Sequence, residues 1–119
     1  MKKILLIDDM KGIRDSLEVI LASTYSLDVV DTAQGGLTKL GASKYDLIIT
    51  DIIMPGMDGN EFIIQAKNKS SCPILAISAG GNGASPDQAL MLAKQQASDV
   101  MIKPFSKNDL LAKIEQMIG

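Results

Sequence analysis

Short apolar runs recur along the chain at residues 3–7, 27–30, 47–50, 74–77 and 100–102. Most are β-branched or aliphatic and carry little internal polar alternation, the pattern of parallel strands covered on both faces. Helical patterns lie between them. Ile13, Leu17, Ile20 and Leu21 fall at i, i+4, i+7 and i+8, a single apolar stripe. Phe62, Ile63 and Ala66 form a second stripe, and Leu90, Met91, Lys94 and Ala97 a less regular one. Leu110, Leu111, Ile114, Met117 and Ile118 form the last. The region around 36–42 is the least helical in pattern, because Gly35, Gly36 and Gly41 surround it and glycine disfavours a helix. Five strands alternating with five helices predict an α/β fold on a parallel sheet. Right-handed crossovers then place helices on both faces, and ligands bind beyond the carboxyl ends of the strands, where the strand order reverses.

The carboxyl ends of the predicted strands carry a chemically coherent set. The first ends in Asp8-Asp9, the third in Asp51, the fourth in Ser78, and the fifth runs into Lys103-Pro104. Taken singly, each has a plain structural reading: a helix N-cap, a turn residue, a strand-end serine, a solvated lysine. Taken together, three carboxylates, a hydroxyl and an ammonium converge on one rim, and the core needs none of them. Clustered carboxylates repel, and a hard divalent cation relieves them; Mg²⁺ fits best, with Mn²⁺ as the alternative. A carboxylate beside such a metal can act as a nucleophile toward phosphorus. The transferred group spreads charge over three oxygens, which Lys103, Ser78 and the metal would neutralise or bind.

Composition narrows the chemistry further. The chain has 119 residues, the length of one domain spanning 1–119, and no histidine, which excludes a histidine base, metal ligand or phosphocarrier. A net charge of −2 offers no general attraction for nucleic acid or an anionic membrane. The apolar runs are too short to cross a bilayer, and Asp8 and Asp9 interrupt the stretch after Met1-Lys2-Lys3, unlike a signal peptide. The lone Cys72 cannot form an internal disulfide and fits a reducing cytoplasm as a small, semi-buried residue before Pro73. Only 3% of the chain is aromatic, so aliphatic side chains fill the interior.

Four ordered motifs resemble the receiver domain of two-component response regulators, of the chemotaxis-regulator type. They are Ile4-Leu5-Leu6-Ile7-Asp8-Asp9; Asp51-Ile52-Ile53-Met54-Pro55-Gly56-Met57-Asp58-Gly59; Ile77-Ser78-Ala79; and Lys103-Pro104-Phe105. The likeness covers essentially the whole chain. It implies a flavodoxin-like, doubly wound (βα)5 fold with strand order 2-1-3-4-5. It implies that Asp51 accepts a phosphoryl group, that Asp9 and Asp51 contact the metal, and that Asp8 acts mainly through a metal-bound water. The carbonyl of Ile53 would be a further metal ligand. Ser78 would follow the phosphoryl group, Lys103 would pair with it, and the bond from Lys103 to Pro104 would be cis. The implied donor is a histidine kinase or a histidine phosphotransfer protein. The output would be a protein target on the C-terminal face, about residues 85–119, of a monomer or weak dimer.

The chain departs from the family pattern in three places. Val100 stands where an aromatic residue is usual, so a swinging ring gives way to movement of the loop from Ala79 to Ala84. That loop, Ala79-Gly80-Gly81-Asn82-Gly83-Ala84, is rich in glycine and leads toward a helix start near Ser85-Pro86. Ile53 and Gly80 supply no polar group to steer water, which implies slow self-dephosphorylation. Two other functions compete. A Mg²⁺-dependent phosphatase with an Asp nucleophile would need a cap and a carboxylate where Ile53 stands. A phosphate-independent interaction domain would not need the intact acidic set.

Overall fold

Strand register explains how the apolar runs are used. The computed structural model describes residues 1–52, 59–79, 97–103 and 105–119, and only the backbone of residues 59, 78, 79 and 103. In chain order the elements are β1 (Lys3–Ile7), α1 (Lys11–Leu21), β2 (Ser26–Val30), α2 (Ala33–Ala42), β3 (Leu47–Asp51), α3 (Gly59–Lys69), β4 (Ile74–Ala79), β5 (Asp99–Lys103) and α4 (Lys107–Ile118). The helix expected at Leu90, Met91 and Lys94, with its start near Ser85-Pro86, lies outside the described residues.

All neighbouring strands are parallel, in the order β2-β1-β3-β4-β5. Alternate residues of the central strands enter opposite cores. Leu5, Ile7, Ile48, Ile74 and Ala76 pack with Ala33, Leu37 and Leu40 of α2 and Phe62, Ile63 and Ala66 of α3. Ile4, Leu6, Leu47, Ile49, Leu75 and Ile77 pack with Leu17 and Leu21 of α1 and Leu110 and Ile114 of α4. Burial on both faces is why these strands read as continuous apolar runs. The sheet is thus doubly wound, as the resemblance implied.

The observed strands extend the expected ones by one or two polar or small residues. Ser26, Asp51, Ser78, Ala79, Asp99 and Lys103 all join the ladder. Backbone pairing continues past the last apolar residue because a neighbouring strand still offers partners.

Helix α2 begins earlier than its glycines suggested. Thr32 caps it, its Oγ1 accepting the Gly35 N–H at 2.9 Å. Gly36 is needed for close approach. A methyl group there would lie 3.0 Å from Ile7 Cγ1 and 3.0 Å from Phe62 Cε1, both on fully buried side chains. Helix α4 starts with a reciprocal cap. Ser106 Oγ accepts the Asp109 N–H at 3.0 Å, and the Asp109 carboxylate accepts the Ser106 N–H at 3.4 Å.

A polar brace closes the amino-terminal edge of the sheet. The Tyr45 hydroxyl donates to Asp28 Oδ2 at 2.6 Å, across β1. Lys3 Nζ lies 3.5 Å from the same carboxylate and 5.0 Å from the Tyr45 ring centre. The tyrosine hydrogen bond, more than the nearby lysines, holds the Asp28 carboxyl below its usual range. Burial, then the bond to Asp28, raises the Tyr45 hydroxyl above its ordinary value. Among the described residues, no helix is long and apolar enough to cross a membrane.

Gly36→Ala should destabilise the fold by about 1 kcal/mol, since overpacking costs roughly 1–3 kcal/mol and the gain in helix propensity returns about 1. Gly12→Ala, at a site with nothing within 4 Å, should stabilise by up to about 1 kcal/mol. Urea midpoints of the two variants should move in opposite directions.

The brace also sets a pH window. Asp28 titrates lower when folded, so its contribution is present at neutral pH and is lost as the pH falls below about 4. Tyr45 titrates higher when folded, so its contribution is lost as the pH rises above about 10. Tyr45→Phe should cost about 1–2 kcal/mol at neutral pH. It should also flatten the alkaline limb of a stability–pH curve measured by urea unfolding.

Candidate acidic metal site

The site is assembled where β1 and β3 run out of core. β1 and β3 pair as far as Ile7 with Thr50, which brings Asp8 and Asp51 to the same rim. The Asp8 N–H extends the ladder to the Val30 carbonyl at 3.2 Å. Its carboxylate turns back and accepts the Met10 N–H at 2.9 Å. Arg14, in the first turn of α1, donates from Nη1 to the Asp8 carbonyl at 2.9 Å. Helix α1 itself is capped at Met10 without a side-chain bond, so the Asp pair is not spent as its N-cap.

On β3, Asp51 is the last strand residue rather than a turn residue, and it pairs with Ile77. The Ile52 N–H bonds the Ile77 carbonyl at 3.0 Å, and buried Thr50 donates its hydroxyl to the Asp51 carbonyl at 3.0 Å. The backbone on both sides of Asp51 is therefore held.

These constraints bring carboxylate oxygens of Asp8, Asp9 and Asp51 within 4.8 Å of one another. Asp8 is 1% exposed and Asp51 6% exposed, while Asp9 opens to solvent. Like charges brought this close repel one another, and a cation among them would relieve it. Hard oxygen donors, two of them buried and one at the mouth, suit a small divalent cation that keeps some of its water.

Ser78 and Lys103 occupy the ends of β4 and β5, where Ser78 pairs with Ile102 and Ala79 with Lys103. Register thus carries both backbones to the carboxyl edge of the sheet. Their side chains, together with Ile53, Pro104 and the 80–84 loop, lie outside the described residues. Val100 is half-buried against the α2–α3 core. Arg14 was missed by the sequence reading. The available signal was its place in the first turn of α1, from which a long side chain leans back toward the strand.

A cleft of about 730 Å³ lies at the opposite end of the sheet, between the ends of α2 and α3, lined among others by Lys44, Lys69 and Cys72. It is remote from the acidic cluster. Burial there pushes the Cys72 thiol above its ordinary range, which keeps it protonated and unreactive.

Comparison with known proteins agrees with this geometry. A family model described as response regulator receiver domain matches residues 4–115. The chain is 31% identical over 117 residues to the transcriptional regulatory protein ResD of Bacillus subtilis, covering 98% of this chain and 48% of that protein. It is also 31% identical over 119 residues to the response regulator ArlR of Staphylococcus aureus, covering 99% of this chain and 53% of ArlR. The chain thus spans about half the length of these two regulators. Among solved structures, a CheY-like receiver domain protein from Methanospirillum hungatei superposes with a TM-score of 0.89 at 27% identity, covering 99% and 94% of the two chains. A two-component response regulator from Clostridium difficile gives 0.89 at 28% identity, covering 98% and 95%.

Repulsion within the cluster has a measurable consequence. Without divalent cations, Asp9→Asn should melt at a higher temperature than the wild type, because one of three crowded charges is gone. Thermal unfolding in EDTA checks this, and an unchanged or lower midpoint would show that the carboxylates do not strain the fold.

Proposed function

Because the chain belongs to the response regulator receiver domain family, we propose that Asp51 is its phosphoacceptor and that Asp8, Asp9 and the Ile53 carbonyl complete a Mg²⁺ site with it. The observation that carries this reading is the convergence of Asp8, Asp9 and Asp51 within 4.8 Å at the carboxyl edge of the sheet. A receiver is a phosphorylation-switched signalling module rather than a conventional enzyme, and its family partners are histidine kinases and histidine phosphotransfer proteins.

In the proposed reaction, an Asp51 carboxylate oxygen attacks the phosphorus of a phosphohistidine. The new O–P bond forms as the N–P bond breaks, and the imidazole nitrogen leaves with that bond's electron pair. The cation, when bound, would neutralise charge on the phosphoryl oxygens and orient them for in-line transfer. Asp8 and Asp9 would hold the cation, Asp8 chiefly through a water between it and the metal. Lys103 supplies a fixed positive charge and Ser78 a hydroxyl donor toward the transferred group. Thr50 and the β4 ladder hold the Asp51 backbone so that its carboxylate need not be ordered during reaction. Mn²⁺ would serve in place of Mg²⁺, since it also accepts hard oxygen donors.

Output is assigned to the C-terminal face. There Lys113 of α4 pairs with Asp99 of β5 at 2.8 Å, fastening helix to edge strand. Ile102, three residues along β5, is 49% exposed, an apolar contact point for a protein target. Apolar Ile53 and side-chain-free Gly80 offer attacking water no polar guide, so the phosphorylated state is assigned a long lifetime. With Val100 in place of an aromatic ring, the switch is assigned to Ser78 and the loop after it. The protein is assigned to the cytoplasm as a monomer or weak dimer, and its net charge of −2 gives no general attraction for nucleic acid or an anionic membrane. We assign residues 1–119 to one receiver domain.

Acetyl phosphate with MgCl₂ should add one phosphoryl mass to the wild type, in an acid-labile form, and none to Asp51→Asn. Intact-mass spectrometry reads the result directly. An equal gain on the variant would overturn the assignment.

A further inference from the structure

We propose that Arg14 is a positioning residue for the cation site, holding the Asp8–Asp9 peptide in the orientation that presents both carboxylates. The inference rests on the metal-site reading above and adds to it a residue that lies outside the acidic set.

The geometry is specific. A trans peptide is planar, so the Asp8 carbonyl and the Asp9 N–H point in opposite directions. Arg14 Nη1 holds that carbonyl at 2.9 Å. Rotation of the peptide, which would carry Asp9 with it, must first break this bond. The turn has other contacts, one of which, from the Asp8 carboxylate to the Met10 N–H, closes a ring around the same peptide, but Arg14 is the side chain that ties the carbonyl itself to α1. The Asp8 N–H is bound to Val30, and the Asp8 carboxylate is bound to the Met10 N–H. Arg14 is in turn anchored by its own N–H, which bonds the Met10 carbonyl at 3.0 Å as part of α1. The guanidinium therefore ties the Asp8–Asp9 peptide to a helix whose position is set by Leu17 and Leu21 in the core.

Such a tether matters because the three carboxylates share one rim and one of them, Asp9, faces solvent. Without it, the exposed member, Asp9, relaxes toward water and must be brought back on binding. A fixed peptide removes that ordering cost in advance.

Sign separates this role from simple electrostatics. Arg14 is a cation beside a cation site, so if charge alone mattered its removal would tighten Mg²⁺ binding. Positioning predicts the reverse. Arg14→Met keeps the length of the side chain and removes the donor, whereas Arg14→Lys keeps the charge and one donor. Mg²⁺ affinity is read from an NMR titration with MgCl₂, following the Asp9 and Met10 amides. Arg14→Met is expected to weaken Mg²⁺ about tenfold, the lower range for a residue that orients a ligand. Arg14→Lys should recover most of that loss. Thermal unfolding in EDTA accompanies each titration, and the metal-free midpoint of Arg14→Met should stay near the wild type's.

Binding by Arg14→Met that is as tight as the wild type, or tighter, overturns the inference. So does a Lys variant as weak as the Met variant. Should Arg14→Met fail to fold, Arg14→Lys alone decides: affinity within about threefold of the wild type supports the tether, and a loss of about tenfold or more overturns it. Asp9→Asn serves as the control. If it binds Mg²⁺ like the wild type, the metal-site reading itself fails; if it does not, and Arg14→Met is unaffected, the inference about Arg14 alone fails.

Discussion

Burial of the sheet on both faces is the constraint from which the rest of the structure follows. With α1 and α4 on one side and α2 and α3 on the other, the central strands have no solvated face on which to place polar groups. Polar side chains are admitted only where strands end. The carboxyl edge is therefore the natural place for Asp8 and Asp51, and register decides that they meet. A one-residue slip of β3 against β1 would exchange Asp51 with Thr50 on that rim and turn the apolar residues of β3 to the wrong faces. The same constraint thus specifies both the core and the chemistry.

Helix placement repeats this economy at closer range. Gly36 allows α2 to lie against Ile7 and Phe62, so the helix that looked weakest by propensity is held by contact rather than by intrinsic preference. Packing commonly outweighs propensity in this way. Helix α4 is secured differently, by its Ser106–Asp109 cap at one end and by Lys2 donating to the Ile118 carbonyl at the other. The face opposite Gly36 is closed by buried Leu110 and Ile114 of this helix, and the polar contacts fix its two ends.

Much of this was legible in the residues. The apolar runs located all five strands, and the stripe at Ile13, Leu17, Ile20 and Leu21 located α1, because burial writes itself directly into hydrophobic pattern. The acidic cluster was legible for the same reason: Asp8, Asp9 and Asp51 are polar residues that interrupt or end apolar runs. The strand ends were less visible, since Asp51, Ser78 and Lys103 join the ladder through backbone groups that any residue carries. Long-range side-chain bonds were not visible at all. Nothing near Tyr45 announces Asp28, and nothing near Arg14 announces a carbonyl six residues earlier, because such bonds depend on the folded geometry rather than on local composition.

The two ends of the sheet also follow opposite electrostatic logic. At the amino-terminal edge, charged and polar groups are paired: Tyr45 and Lys3 with Asp28, and the Lys3 N–H with Asp46 Oδ2 at 2.8 Å. Backbone bonds from Ser26 to Lys2, from Asp46 to Lys3 and from Ile48 to Pro73 tie the same edge. At the carboxyl edge, three carboxylates meet on one rim. A cation bound among them would lower the free energy of the folded state alone, since the three carboxylates come together only there. Local stability at the carboxyl edge would then depend on what occupies it.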